Sequence, residues 1–213
     1  HDGTIGAAST NQEPVTTINW RDSMVWMNAL TEYYNAQKGT GLTAVYTYTG
    51  SIIRNSEDSN GTACDNAVAS STADGFRLVS SDEWELAARY INDANSDGDI
   101  KDTNEYYPGS YASGATADFN DAAATGLVAV YNGSATAVVK SKTSNALGIY
   151  DMNGNVQEWV NDRSGTQPSD KNRIFRGGSY DASTGSLVQL GRTNGYEPYL
   201  EYWFIGFRFA KTQ

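Results

Sequence analysis

Residues 148–160 read GIYDMNGNVQEWV and form the stretch, called the hub below, around which the rest of the 213-residue chain is organised. The apolar and aromatic residues of the hub can reach a core. Between them, Asn153-Gly154-Asn155 indicates a turn, because glycine adopts positive φ without strain and asparagine tolerates it. Asp151 and Glu158 carry carboxylates on either side of that turn.

Two interpretations of these carboxylates are open. If the backbone curls at the turn, Asp151, Glu158 and several loop carbonyls converge into a cage suited to a hard cation such as calcium. Alternatively, the hub is a tight turn between two strands, and its acidic side chains face water. An oxygen cage needs more ligands than two side chains, so the spacing does not decide between these interpretations.

The composition excludes several classes of function. A net charge of −10 argues against a nucleic-acid groove, which needs a basic stripe, and against adhesion to anionic lipid. Cys64 is the only cysteine and His1 the only histidine. We therefore expect no internal disulfide, no histidine-based triad, no histidine-ligated zinc and no Cys–His nucleophile. No apolar run approaches the ~20 residues of a membrane helix, and no signal peptide is recognised in the chain.

Local signals outward from the hub predict two helices. The first runs from Trp20 to Tyr34 behind an Asn19 cap, and the second runs from Ser81 to Ile91 behind a capping box. A strand is predicted at 43–49, where apolar residues alternate, and further short strands are predicted at 127–131, 136–140, 173–176 and 205–210. Asn132-Gly133 is predicted to turn a hairpin. The predicted organisation is an arm at 1–14 and a single domain at 15–213, with insertions near 51–72 and 93–125.

A second acidic motif lies in the later insertion. Oxygen-bearing side chains stand at alternate positions around Gly98, as at the start of an EF-hand-type calcium loop: Asp93, Asn95, Asp97 and Asp99. The twelfth position of such a loop is Asn104, whereas Glu105 comes one place late, and no clear helix follows. A calcium loop and an acidic surface loop are both open.

Five motifs in order resemble formylglycine-generating-enzyme-like domains, one branch of the C-type lectin fold. They are residues 18–26, residues 75–78 with 83–89, the hub, residues 176–179 and residues 206–208. The resemblance covers about Val15 to Ala210. It implies an α+β fold in which two helices pack on twisted, mostly antiparallel sheet with long loops. It also implies structural calcium at the hub, held by the side chains of Asp151 and Glu158 and the carbonyls of Gly154 and Val156.

The enzymatic activity of that family is not expected here. The enzymes bind copper through two cysteines that follow their Arg-Gly-Gly-Ser motif, and the corresponding positions in this chain resemble Ala182 and Leu187. Neither side chain offers the soft thiolate that copper needs. Related sulfoxide-forming enzymes use an iron site built from histidines, which this chain lacks. The resemblance therefore predicts a protein that is not an enzyme and that holds no copper, zinc or organic cofactor.

The stretch between Ser179 and Ile205 is rich in tyrosine, serine and asparagine, which are typical of adaptable recognition surfaces. We predict a ligand-binding surface composed of Tyr180, Asp181, Ser183, Ser186, Asn194, Tyr196, Tyr199, Tyr202, Trp203 and Phe204. All except Trp203 and Phe204 are expected to line one exposed surface. The alternative is that some aromatic residues belong to the core, Trp203 or Phe204 in particular, because adjacent strand residues face opposite ways.

This arrangement resembles the variable proteins of diversity-generating retroelements, which display a hypervariable C-terminal segment on the same fold. The resemblance implies a diversified segment at about 176–210. It also implies a ligand-binding display protein, at a bacterial cell surface or outside the cell, whose partner is a protein or another surface ligand. The alternatives are a formylglycine-generating-type oxidase with an unfamiliar site and a calcium-dependent carbohydrate-binding relative of lectins.

Overall fold

The computed structural model describes residues 12–98, 102, 104–166, 170–185, 190 and 195–212, together with the backbone of residues 4–5. Within these residues the helices are α1 (Trp20–Lys38), α2 (Gly61–Asp65), α3 (Ser81–Arg89) and α4 (Ala122–Val128). The early strands are β1 (Thr4–Ile5), β2 (Val15–Thr16), β3 (Tyr46–Tyr48), β4 (Ser51–Ile52), β5 (Val68–Ala69) and β6 (Phe76–Leu78). The later strands are β7 (Gln157–Arg163), β8 (Arg173–Arg176), β9 (Ile205–Phe207) and β10 (Phe209–Lys211).

The strands form small sheets that are mostly antiparallel. In the sheet that carries the second half of the hub, β7 lies between β8, to which it is antiparallel, and β9, to which it is parallel. The strand pairs β1–β2, β10–β6, β3–β4 and β3–β5 are all antiparallel. The predicted α+β class with mostly antiparallel pairing is confirmed.

Both predicted helices are present, and both begin with the expected capping box. Asn19 accepts a hydrogen bond from the Asp22 N–H, and Ser80 accepts one from the Glu83 N–H, which satisfies donors that a helix start leaves open. The helix ends differ from the prediction. α1 continues to Lys38, where Gly39 closes it in the left-handed conformation at φ 65°, and α3 ends at Arg89 because the next residue is extended.

The hairpin predicted at 127–140 is wrong. Residues up to Val128 belong to α4, which begins with three alanines, the best helix formers, and whose start is capped by the Asp121 carboxylate. Residues 136–140 form no strand. The Asn132 and Gly133 N–H groups donate to Ala182 and Tyr180 carbonyls rather than closing a hairpin. The strand predicted at 43–49 is limited to β3, and the one at 205–210 is divided at Arg208 between β9 and β10.

Three clusters form the core within the part of the chain that the structure describes. The largest lies between α1 and the strands and includes Trp20, Met24 and Trp159, while the second surrounds Trp84 beneath α3. The third is a smaller group of alanines, with Val128, next to the loop that follows β8. No helix among the described residues combines the length and the apolar character that crossing a membrane requires. The C-terminal part of the chain packs on these clusters, through Tyr202 and Phe204 on the largest and Ala182 in the third.

Candidate functional site

Six aromatic rings from the C-terminal part of the chain form a continuous row, which we call the aromatic ribbon. Its members, in order of contact, are Phe175, Tyr196, Tyr202, Phe204, Trp203 and Tyr180. Their successive centroid separations are 4.9, 4.6, 5.2, 4.9 and 5.6 Å. These spacings lie within the range of favourable ring contacts, so the rings support one another in fixed positions.

The ribbon is buried at both ends and exposed along its middle. Phe175 lies in the largest core cluster, and Tyr180 is 4% exposed. Trp203 and Tyr196 are 51% and 36% exposed, while Tyr202 and Phe204 are half-buried against the same cluster. A solvent-facing aromatic surface whose two ends are anchored in the interior can contact a partner without rearranging first.

Tyr180 corrects the expectation that the tyrosines of this stretch are all exposed. Its ring lies under Trp203, and its backbone is held on both sides, by the Asn155 carbonyl and by the Gly133 N–H. Burial, with the Asp181 carboxylate beside it, raises the pKa of the Tyr180 phenol. Asp181 and Ser183 are exposed, as expected. Ser186 and Asn194 lie outside the described residues.

Tyr199 extends the exposed surface beyond the ribbon. Its ring is 46% exposed and lies 5.3 Å from the Arg21 guanidinium carbon, a cation–π contact. Arg21 is itself fixed by a bidentate pair with Asp65, at 2.8 and 3.0 Å. The Arg21 N–H also donates to the Pro198 carbonyl at 3.2 Å, so the first turn of α1 holds the loop that carries Tyr199.

The sheet positions the other end of the same loop. Arg173 in β8 and Tyr196 exchange two backbone hydrogen bonds, at 2.7 and 3.0 Å. The Arg173 side chain is buried, with its guanidinium carbon 3.6 Å from the centroid of the Trp20 ring. Burial lowers the pKa of this guanidinium to about 10, and the neighbouring Arg163 acts in the same direction. The exposed rings therefore lie over a buried base that is joined to the loop by backbone hydrogen bonds.

The positions that resemble the copper-binding cysteines show no metal-binding chemistry where they are described. Ala182 is buried in the alanine cluster with Ala112 and Val128, and its own side chain carries no ligand atom. Leu187 lies outside the described residues. Cys64 belongs to the largest core cluster instead, where its thiol lies 3.3 Å from the Asn55 carbonyl oxygen.

Cys64 is expected to be almost inert in the native protein. Burial raises the pKa of its thiol to about 11, although the nearby Arg21 acts in the opposite direction. Because the thiolate is the nucleophile, labelling by a thiol reagent at pH 8 should be about 100-fold slower, or more, than in the unfolded chain. As a control, Ser183→Cys in a Cys64→Ser background should react as fast as a free thiol. Rapid native labelling of Cys64 would contradict the assignment of a buried structural thiol.

The hub carboxylates are engaged by protein groups. Both oxygens of Glu158 accept hydrogen bonds from Arg208 at 2.7 Å, and Oε2 also accepts one from Trp84 Nε1 at 2.8 Å. Arg208 Nη2 further donates to the Tyr150 and Asp151 carbonyls, while the Asp151 carboxylate accepts from the Lys140 N–H. The Arg208 guanidinium thus already occupies both carboxylate oxygens of Glu158. As arranged, Asp151, Gly154, Val156 and Glu158 do not fit a calcium ion.

The hub turn has a structural function that its sequence indicated only in part. Gly154 adopts φ 72°, and a Cβ there would lie 2.2 Å from the Val130 carbonyl oxygen, so only glycine fits. Asn153 accepts from the Ser113 N–H, and Asn155 exchanges hydrogen bonds with the backbone of Ala137. The two asparagine side chains therefore tie two long loops to the sheet.

Three residues of the site were not identified from the sequence. Phe175 anchors the ribbon, Arg21 supports Tyr199, and Arg208 pairs with the hub carboxylate of Glu158. Arg21 and Arg208 lie within the quoted motifs, but those motifs indicated the fold rather than these contacts. Of the other predicted metal ligands, Asp93, Asn95 and Asp97 share one loop, and Asp99 lies outside the described residues.

Comparison with known proteins gives consistent results. The family model for sulfatase-modifying factor enzyme 1-like domains matches residues 1–213. The chaperone protein LppX of Paenibacillus barcinonensis is 28% identical over 88% of this chain and 67% of its own length.

Among solved structures, CarF superposes with a TM-score of 0.75 at 28% identity, and variable protein 1 of Treponema denticola with 0.71 at 27%. Each comparison covers 100% of this chain and 76% of the other. PvdO from Pseudomonas aeruginosa, at 18% identity and a TM-score of 0.55, covers 96% of this chain and 64% of its own and shows the fold alone. The C-type lectin fold of the formylglycine-generating type and the resemblance to a variable protein are confirmed.

Proposed function

The chain belongs to the family of sulfatase-modifying factor enzyme 1-like domains, and from that premise we propose that it is a ligand-binding display protein without enzymatic activity. The observation that carries the proposal is the aromatic ribbon. Its middle rings are exposed, its ends are buried, and Tyr199 continues the surface over Arg21. Tyrosine and tryptophan on a rigid base provide large contact area at low entropic cost, which is the usual composition of binding hot spots.

The charge around the ribbon supports a protein partner with basic and apolar side chains. Asp181 and Glu197 are exposed beside the rings, and the whole chain carries a net charge of −10. Lysine or arginine side chains of a partner could pair with these carboxylates and lie over the exposed rings of Trp203 and Tyr199. An acidic partner or a nucleic acid would meet repulsion at the same surface.

The absence of enzymatic activity needs a direct test, because the family also includes enzymes. Ala182 offers no ligand to copper, and the buried Cys64 thiol remains protonated near neutral pH. We expect no conversion of cysteine to formylglycine when the copper-treated chain is incubated with cysteine-bearing peptides and the products are analysed by mass spectrometry. Turnover above that of a copper-only control would overturn the proposal in favour of an oxidase.

Diversification of the C-terminal segment is the second part of the proposal. It rests on the likeness to Treponema denticola variable protein 1 and on the exposure of Tyr196, Tyr199 and Trp203. The test is genomic: a near-copy of the DNA encoding residues 176–210, differing mainly at adenines and lying beside a reverse-transcriptase gene, is expected. If several complete genomes of the source lineage lack such a copy, a fixed binding protein replaces a diversified one.

Display at a bacterial cell surface, or outside the cell, follows from the same proposal, because a variable binding surface acts on external partners. An antibody against the folded chain should label intact cells without permeabilisation. Labelling only after permeabilisation would contradict display. Calcium-dependent retention on a glycan array would instead favour the lectin alternative.

A further inference from the structure

Glu105, in the insertion between α3 and α4, carries a buried carboxylate that is only half satisfied. The residue is 2% exposed, and its Oε1 accepts a hydrogen bond from the Ala94 N–H at 2.5 Å. Among the described residues, its Oε2 has no hydrogen-bond partner, and no lysine or arginine pairs with it. Burying an acidic group in this way is unfavourable unless something else binds the open oxygen.

The backbone brings this carboxylate to the acidic loop that begins at Asp93. Tyr90 and Tyr106 form an antiparallel bridge, and the Ile91 N–H donates to the Glu105 carbonyl at 2.8 Å. In an EF-hand, a following helix positions the last ligand at the twelfth residue. Here a bridge closes the loop, so the residue one place later, Glu105, lies against its first turn at Ala94.

Oxygen atoms that could bind a metal lie around the first turn of the loop that begins at Asp93. Asp93 accepts hydrogen bonds from the Asp97 and Gly98 N–H groups at 3.2 and 3.0 Å, and Gly98 adopts φ 81°. The Asn95 amide donates to the Asp97 carboxylate at 3.0 Å and to Asp102 at 2.9 Å. One amide group, that of Asn95, thus holds the carboxylates of Asp97 and Asp102 close together.

We propose that Asp93, Asn95, Asp97 and Glu105 bind one calcium ion, with Glu105 providing the buried carboxylate that an EF-hand places at its twelfth position. In the arrangement described, no three acidic side chains of the described residues already meet as a metal centre, so binding rotates Asp93 and Asp97 away from their backbone partners. The all-oxygen donor set and the adjustable loop favour calcium over magnesium, which requires strict octahedral geometry. Asp99 lies outside the described residues and is not part of the proposed site.

The experiment is an isothermal titration calorimetry measurement in which calcium chloride is added to the full chain after treatment with EDTA. We expect one site with a Kd between about micromolar and millimolar, weakened about 100-fold or more by Glu105→Gln and about 10-fold or more by Asp97→Asn. Asp82→Asn, which removes an exposed carboxylate from α3, should leave the affinity unchanged. Terbium luminescence sensitised by the adjacent Tyr106 should show the same ranking of variants.

Two outcomes would overturn the assignment. One is the absence of calcium binding by the folded wild-type chain. The other is binding that survives Glu105→Gln and Asp97→Asn but disappears in Asp151→Asn, which would assign the ion to the hub. Because Asp97 is exposed, its variant should fold even if the buried Glu105→Gln variant does not, and the Asp97 result alone then decides.

Discussion

Replacing Glu158 with glutamine is expected to lower the free energy of unfolding by about 3 kcal/mol, because it leaves a charged arginine without its partner inside the protein. Glu158 is buried, and its two carboxylate oxygens accept hydrogen bonds from both Arg208 and Trp84 Nε1. Glutamine keeps the shape but loses the charge and one acceptor. Urea unfolding followed by tryptophan fluorescence measures the change.

An exposed pair of the same chemistry provides the control. Arg54 donates from Nε and Nη2 to Glu32, and both side chains are largely exposed to solvent. Glu32→Gln should cost less than about 1 kcal/mol, since water screens the pair and solvates whichever group remains. Equal losses in the free energy of unfolding for Glu158→Gln and Glu32→Gln would contradict the prediction that burial makes the Glu158–Arg208 pair more stabilising than the exposed pair. Glu158→Leu combined with Arg208→Met should recover much of the lost stability, as both charges leave together.

The parts of the fold that could be predicted depend on neighbouring residues. The starts of α1 and α3 were correct because a capping box involves residues only three positions apart, Asn19 with Asp22 and Ser80 with Glu83. The positive φ expected in the Asn-Gly-Asn motif was also correct, at Gly154 and Asn155, for the same local reason. The order of the five motifs then identified the fold, because each motif lies at a structural element that members of this family share.

The errors occurred where distant contacts decide the structure. The apolar run before Tyr131 was predicted as a strand, yet residues up to Val128 belong to a helix that is capped by Asp121, begins with alanines and packs near Ala182. At Asn132, the expected hairpin is replaced by a hydrogen bond to the same distant loop. Periodicity cannot indicate which of these partners will be available.

The hub metal prediction could not have been resolved from spacing. The group that binds Glu158 is Arg208, 50 residues later in the chain, and only the pairing of β7 with β9 brings them together. The arrangement of the aromatic residues between Ser179 and Ile205 also depends on contacts between distant parts of the chain. The composition of this stretch indicated recognition, but which ring is buried, Tyr180, and which is exposed, Trp203, depends on how the loop lies over the core.

Truncating Trp203 to alanine is expected to weaken partner binding by about 2 kcal/mol or more, roughly 30-fold in Kd, because aromatic residues at the centre of an interface dominate affinity. Trp203 is the most exposed ring of the ribbon, and it contacts both Tyr180 and Phe204. Its removal takes away contact area and loosens its neighbours. The partner can be captured with a photo-crosslinking amino acid at position 199, and affinity then measured by biolayer interferometry.

Tyr33→Ala is the matched control, since this ring is 64% exposed on α1 and has no ring contact with the ribbon among the described residues. It should leave Kd within about twofold, because an exposed residue outside the interface contributes little. Thermal unfolding of both variants separates lost contact from lost folding. Equal loss of affinity in the two variants, or none in Trp203→Ala, would show that the partner is held elsewhere. A loss confined to Trp203→Ala and Tyr199→Ala, with folding intact, would assign binding to the C-terminal surface, because Tyr199 is the crosslinking position and Trp203 is the most exposed ring of the ribbon.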